Sequence, residues 1–187
     1  MKYYSKQGLW ALFLTCAFPL HVWTIILALR DFSWVTERTN SWDAIGVLSY
    51  GLVFAFIESL LVFLVAMLLG FLISKKWAED RLVALVGTLV LIASLWAMVN
   101  YLFFMLNISI TGETILFFRK LAHPLRVLYA ISLSIVGITV ALPAYLVLRS
   151  EKFLKGIRGF FDRISTLTLF YLFFDFLGLV IVVIRNV

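Results

Sequence analysis

Residues 44–73 form a run of thirty in which the only charge is Glu58, close to the middle. As a helix this run rises about 45 Å at ~1.5 Å per residue, more than the roughly 30 Å of a bilayer's hydrocarbon core, so it spans a membrane with tilt to spare. Soluble folds rarely hold so long an apolar run, and its length predicts a transmembrane helix. A carboxylate at that depth costs roughly 2.5–3.5 kcal/mol on insertion scales, which makes Glu58 a candidate functional residue.

The rest of the chain has the same character. Hydrophobic residues make up 64% of it and charged residues 14%, with a mean hydropathy of +1.07, whereas soluble domains carry about a quarter charged residues. The excess of 16 Lys and Arg over 10 Asp and Glu points in such a chain to membrane orientation and anionic headgroups, not to nucleic acid. A single cysteine, Cys16, excludes an intrachain disulfide and a cysteine-rich metal site. Lys2 and Lys6 precede an apolar run over 9–29 that is too long for the core of a cleaved signal and has no small-x-small exit, so a retained first helix is expected.

Further spans are expected over 82–106, 125–148 and 164–184. Between the first two lies a polar loop, 30–43, with Trp34 and Trp42 suited to the membrane–water boundary. Residues 107–124 open with Asn-Ile-Ser-Ile-Thr-Gly, a turn composition, and continue as a short amphipathic segment over 115–122. Residues 149–163 place Phe153, Ile157 and Phe160 on one helical face, with Ile164 next in line and Lys152, Lys155 and Arg163 flanking: an amphipathic basic linker. The fold expected is an all-α, polytopic membrane bundle of five transmembrane helices. It is a single domain with short loops and interfacial segments before the fourth and fifth spans.

Orientation follows from basic residues in the loops. One side carries Lys2, Lys6, Lys75, Lys76, Arg81, Arg149, Lys152, Lys155, Arg158 and Arg163. The other carries Arg30, Arg38, Arg119, Lys120, Arg126 and Arg185. Ten against six predicts a cytoplasmic N-terminus and an outside C-terminus, and the short loops suit a prokaryotic plasma membrane.

Small and polar residues at steps of three and four mark candidate inward faces, because small side chains let helices approach closely in lipid. The second span offers Gly51, Ala55, Glu58, Val62, Ala66 and Gly70, which marks it as the helix around which the others would pack. The fifth span offers Thr168, Tyr171, Asp175, Gly178 and Val182. The fourth offers Arg126, Ala130, Ser134, Gly137, Ala141 and Ala144; the third Ala93, Ala97 and Asn100; the first His21, Thr24 and Ala28. Glu58 and Asp175 are the two acids well inside the apolar runs, at matching predicted depth. Facing each other they would share a proton, and with His21 and Asn100 they would line a path for protons or a cation. The alternative for such acids is a neutral, hydrogen-bonded role as glue between helices.

Other sites weigh less. His21 and His123 are the pair that could hold a haem axially, but no cofactor is expected, and two histidines with two distant acids make a poor zinc site. Arg119, Lys120, His123 and Arg126 form a basic cluster suited to anionic headgroups or to a phosphate. Walker, His-Glu-x-x-His, Gly-x-Ser-x-Gly and Cys-x-x-Cys motifs are lacking. The leading expectation is a non-enzymatic accessory or assembly subunit contacting lipid and partner membrane subunits. A small transport unit coupled to protons or a cation through Glu58 and Asp175 is the alternative. An enzyme acting on a phosphate-bearing lipid, with one of those acids as base and Arg119 and Arg126 as clamp, is the third.

Overall fold

A computed structural model describes residues 4–73, 77–109 and 111–187. Lys2, Lys75 and Lys76 of the orientation count lie outside the described residues. Among these residues the chain forms six helices: α1 (Lys6–Arg38), α2 (Ser41–Leu72), α3 (Glu79–Met105), α4 (Gly112–Arg119), α5 (Pro124–Arg149) and α6 (Glu151–Asn186). All but α4 are long and apolar enough to cross a membrane. Among the described residues there is no strand. The protein is an all-helical membrane bundle.

The helices outrun their apolar cores. The expected loop 30–43 is helical on both sides of a two-residue connection, Thr39 and Asn40. Residues 30–38 contain neither Gly nor Pro, so polarity there marks where the helix leaves the apolar layer and not where it ends. Asn40 starts the next helix by accepting the Asp43 N–H at 2.9 Å. The basic linker behaves likewise, continuing without a break into the last span as the first turns of α6. Ser150 closes α5 and also caps α6, accepting from the Phe153 N–H at 3.2 Å, so the two helices meet at a one-residue corner. The short α4 occupies most of the expected amphipathic segment, capped by the Thr111 hydroxyl.

The centre of the bundle is α1, not the second span. Leu12 through Ala17 are buried one after another, so α1 is covered on every side over that stretch. α2, α3 and α6 pack around it, and α5 lies outside against α3 and α6. Cross-contacts fix the directions. Ser5 meets Glu79 through its backbone N–H and its hydroxyl, both at 2.6 Å, and Trp23 meets Tyr101 edge to face. α1 and α3 are therefore parallel. Thr168 against Leu14 makes α6 parallel to both, while α2 and α5 run the other way. One core cluster joins Leu12, Cys16, Ala66 and Val86; a second joins Ala84, Leu85, Val147 and Leu154. At Gly87 a Cβ would stand 2.6 Å from the Phe161 ring and 3.2 Å from Thr15, so α3 approaches α1 and α6 at a position only glycine fills.

Arg81 ties the corner between α5 and α6 to α3. Its guanidinium donates to the Val147 carbonyl (3.0 Å) and the Leu148 carbonyl (2.6 Å), and pairs with Glu151. Those carbonyls belong to the last turn of α5, where no intrahelical donor remains. Arg81→Ala is expected to cost about 1–2 kcal/mol through these orphaned acceptors. Protease nicking near Ser150 in detergent should accelerate, whereas an unchanged cleavage rate would mean that packing alone holds the corner.

Candidate functional site

Among the described residues the largest fully buried polar side chain is that of His21. It follows Pro19, which lacks an N–H and leaves the Thr15 carbonyl without its usual donor. The His21 ring bridges two helices. Nδ1 lies 2.8 Å from the Ala17 carbonyl one turn back, and Nε2 lies 2.8 Å from Oδ2 of Asp175 on α6. Tyr171, one turn before Asp175, stacks nearly parallel to the imidazole, with ring centroids 6.0 Å apart and 9° between planes. Phe18 stacks on Tyr171 in turn.

This geometry fixes how many protons the pair holds. A carbonyl only accepts, so Nδ1 carries a hydrogen and donates to Ala17. The 2.8 Å contact between Nε2 and Oδ2 then holds one further proton, on the nitrogen or on the oxygen. Either way the pair is neutral overall, as an imidazolium with a carboxylate or an imidazole with a carboxylic acid. Loss of that proton would leave a net negative charge, with two lone pairs facing each other in a low-dielectric interior. The second oxygen, Oδ1, is buried without a hydrogen-bond partner. An unpaired carbonyl oxygen of a carboxylic acid costs far less than an unpaired carboxylate oxygen.

The surroundings hold the dyad tightly. Two turns towards the N-terminal end, the Thr168 hydroxyl lies 2.8 Å from the Ile164 carbonyl and 3.2 Å from that of Leu14, so its one proton is shared between α6 and α1. Three residues beyond Asp175, a Cβ on Gly178 would meet the Ser49 carbonyl oxygen of α2 at 3.2 Å. Neither His21 nor Asp175 lines any of the described cavities.

The other candidates are scattered. The buried line of α2 runs through Ser49, Leu52, Ala55, Ser59, Ala66 and Gly70. Glu58 stands beside that line, exposed, and makes no hydrogen bond or ion pair among the described residues. The structure thus joins Asp175 to His21 and leaves Glu58 apart from both. Asn100 is exposed on α3, with Ala93 and Ala97. Both nitrogens of His21 are engaged, so neither is open to an iron, and His123 is exposed at the start of α5. Arg119, Lys120 and Arg126 are exposed around the same α4–α5 connection. Among the described residues, no group of three or more His, Cys, Asp or Glu is arranged to hold a metal.

Glu58 lines a groove between α1 and α2 together with Asp31. Asp31 drew no attention in the sequence because it falls in a stretch that reads as loop. No protein-family model matches this sequence, and neither a curated protein nor a solved structure is similar to it.

Proposed function

We propose that the chain is a non-enzymatic accessory or assembly subunit of a membrane complex, seated in a prokaryotic plasma membrane with its N-terminus cytoplasmic. The supporting observation is the state of α5. Over residues 128–138 every position is exposed, on all sides of the helix. Those positions include Ser132, Ser134 and Gly137, and a Cβ on Gly137 would meet nothing within 4 Å. Lipid gains little from two serines and a glycine, whereas a neighbouring helix uses such residues for close approach and interhelical hydrogen bonds. A helix of another membrane protein is therefore the occupant. The sealed, neutral His21–Asp175 pair fits a structural clasp better than a conduit. In the same reading, Arg119, Lys120, His123 and Arg126 rest against anionic headgroups.

A photoreactive residue at Ser134, activated in native membranes, tests this. A discrete adduct to one other membrane protein is expected, with none from the same probe at Leu64, an exposed position on α2. Lipid adducts alone at both positions, together with a chain that migrates singly after gentle extraction, would remove the proposal.

A further inference from the structure

The groove between α1 and α2 has a volume of about 300 Å³. It runs from Val35 and Val47, near the α1–α2 connection, down to Thr24 and Glu58. Glu58 lies near the middle of the 32-residue α2, so the groove ends deep in the apolar layer on an unpaired carboxylate. We propose that this groove binds a monovalent organic cation, an ammonium with an apolar body, using Glu58 as its counter-charge.

Charge bookkeeping within the chain leads there. The second acid of the groove, Asp31, is already neutralised by Arg30, at 2.7 Å and 3.0 Å through both carboxylate oxygens. Of the other arginines at this end of the bundle, Arg185 is engaged by Asp43 (2.7 Å) and the Trp42 carbonyl (2.5 Å), and Arg38 lies over the Trp34 ring at 4.0 Å. No basic side chain lines the groove. Of the two acids lining the groove, Glu58 is the one without an ion pair among the described residues, and a carboxylate at membrane depth calls for a cation.

The lining decides which kind of cation. An inorganic ion replaces its water shell with six or more oxygens, and here only Thr24, Asp31 and Glu58 carry side-chain oxygens. The remaining wall is apolar, with Phe32 and Phe54 among its residues. Aromatic and aliphatic walls around one carboxylate match a substituted ammonium, whose diffuse charge is attracted to ring faces and whose body is hydrophobic. This site stands on α1 and α2 and does not depend on the role of α5, so either proposal can fail without the other.

The experiment uses the purified full chain in nanodiscs of zwitterionic lipid. The probe is benzyltrimethylammonium, and neopentylbenzene is its neutral isostere. Saturable calorimetric binding of the cation, not shared by the isostere, is expected. Glu58→Gln should weaken it by about tenfold or more, Glu58→Asp should retain it within a few fold, and Val47→Trp at the exposed rim should obstruct it. Glu58 makes no hydrogen bond or ion pair among the described residues, so the Gln variant should fold, which thermal melting checks. Equal binding of the isostere, unchanged affinity in Glu58→Gln, or no saturable binding up to millimolar probe would each overturn the proposal.

Discussion

Asp175→Asn should leave the bundle almost intact, whereas His21→Ala should cost about 3 kcal/mol. The difference follows from the proton count of the pair. In the form with Nδ1–H donated to Ala17 and the shared proton on Oδ2, Nε2 presents a lone pair. A carboxamide at position 175 can donate Nδ2–H to that lone pair in place of the acid's O–H. One neutral hydrogen bond replaces another, and the change should stay within about 1 kcal/mol. Removing the imidazole instead opens a cavity where a fully buried ring stood, and strands the second oxygen of Asp175 beside one that already lacks a partner. His21→Leu combined with Asp175→Leu should cost less than His21→Ala alone, because no polar atom is then orphaned. Reversible unfolding in mixed micelles gives these values. If Asp175→Asn unfolds the protein as readily as His21→Ala, the pair is an ion pair and the neutral assignment fails. If it folds normally yet abolishes function in the cell, the dyad moves a proton and is more than a clasp.

How far the sequence leads depends on the kind of signal. Apolar runs long enough to span a bilayer are forced by the solvent, so the five spans and the all-helical bundle are legible from length and hydropathy alone. Helix ends are not, because polar residues at 30–38 serve a helix protruding from the apolar layer as well as they serve a loop. The inward face of α6 is legible, since Thr168, Asp175 and Gly178 are all buried. That of α2 is ambiguous at one point. From Ala55 a step of three reaches Glu58 and a step of four reaches Ser59, and both then lead to Val62. The fold takes Ser59, whose hydroxyl donates to the Ala55 carbonyl at 2.6 Å, and leaves Glu58 on the groove between α1 and α2. The partner of Asp175 depends on which helix becomes central, and hydropathy is silent on that. α1 is less apolar than α2, yet it is α1 that the other helices cover.

Two glycines on neighbouring helices should respond in opposite ways. Gly178 of α6 faces the α2 backbone, and a Cβ there would stand 3.2 Å from the Ser49 carbonyl oxygen and 3.5 Å from its Cα. Those are main-chain atoms that cannot turn aside. Gly178→Ala should therefore cost about 1 kcal/mol, and Gly178→Leu about 3 kcal/mol or more, by forcing α2 and α6 apart. The separation should also loosen the contact between His21 and Asp175, so Gly178→Leu and His21→Ala should not be additive. Gly137 of α5 has open space where its Cβ would go. In the isolated chain Gly137→Leu should be neutral or stabilising by up to ~1 kcal/mol, the usual gain from removing a glycine inside a helix. In the native membrane the same change should abolish the cross-link from Ser134, because a leucine prevents the close approach that a glycine permits. A variant stable alone but no longer linked to its neighbour is the result expected of an interface. An unchanged cross-link would place the partner helix elsewhere on the bundle, and a loss of stability in isolation would mean that α5 packs against its own chain.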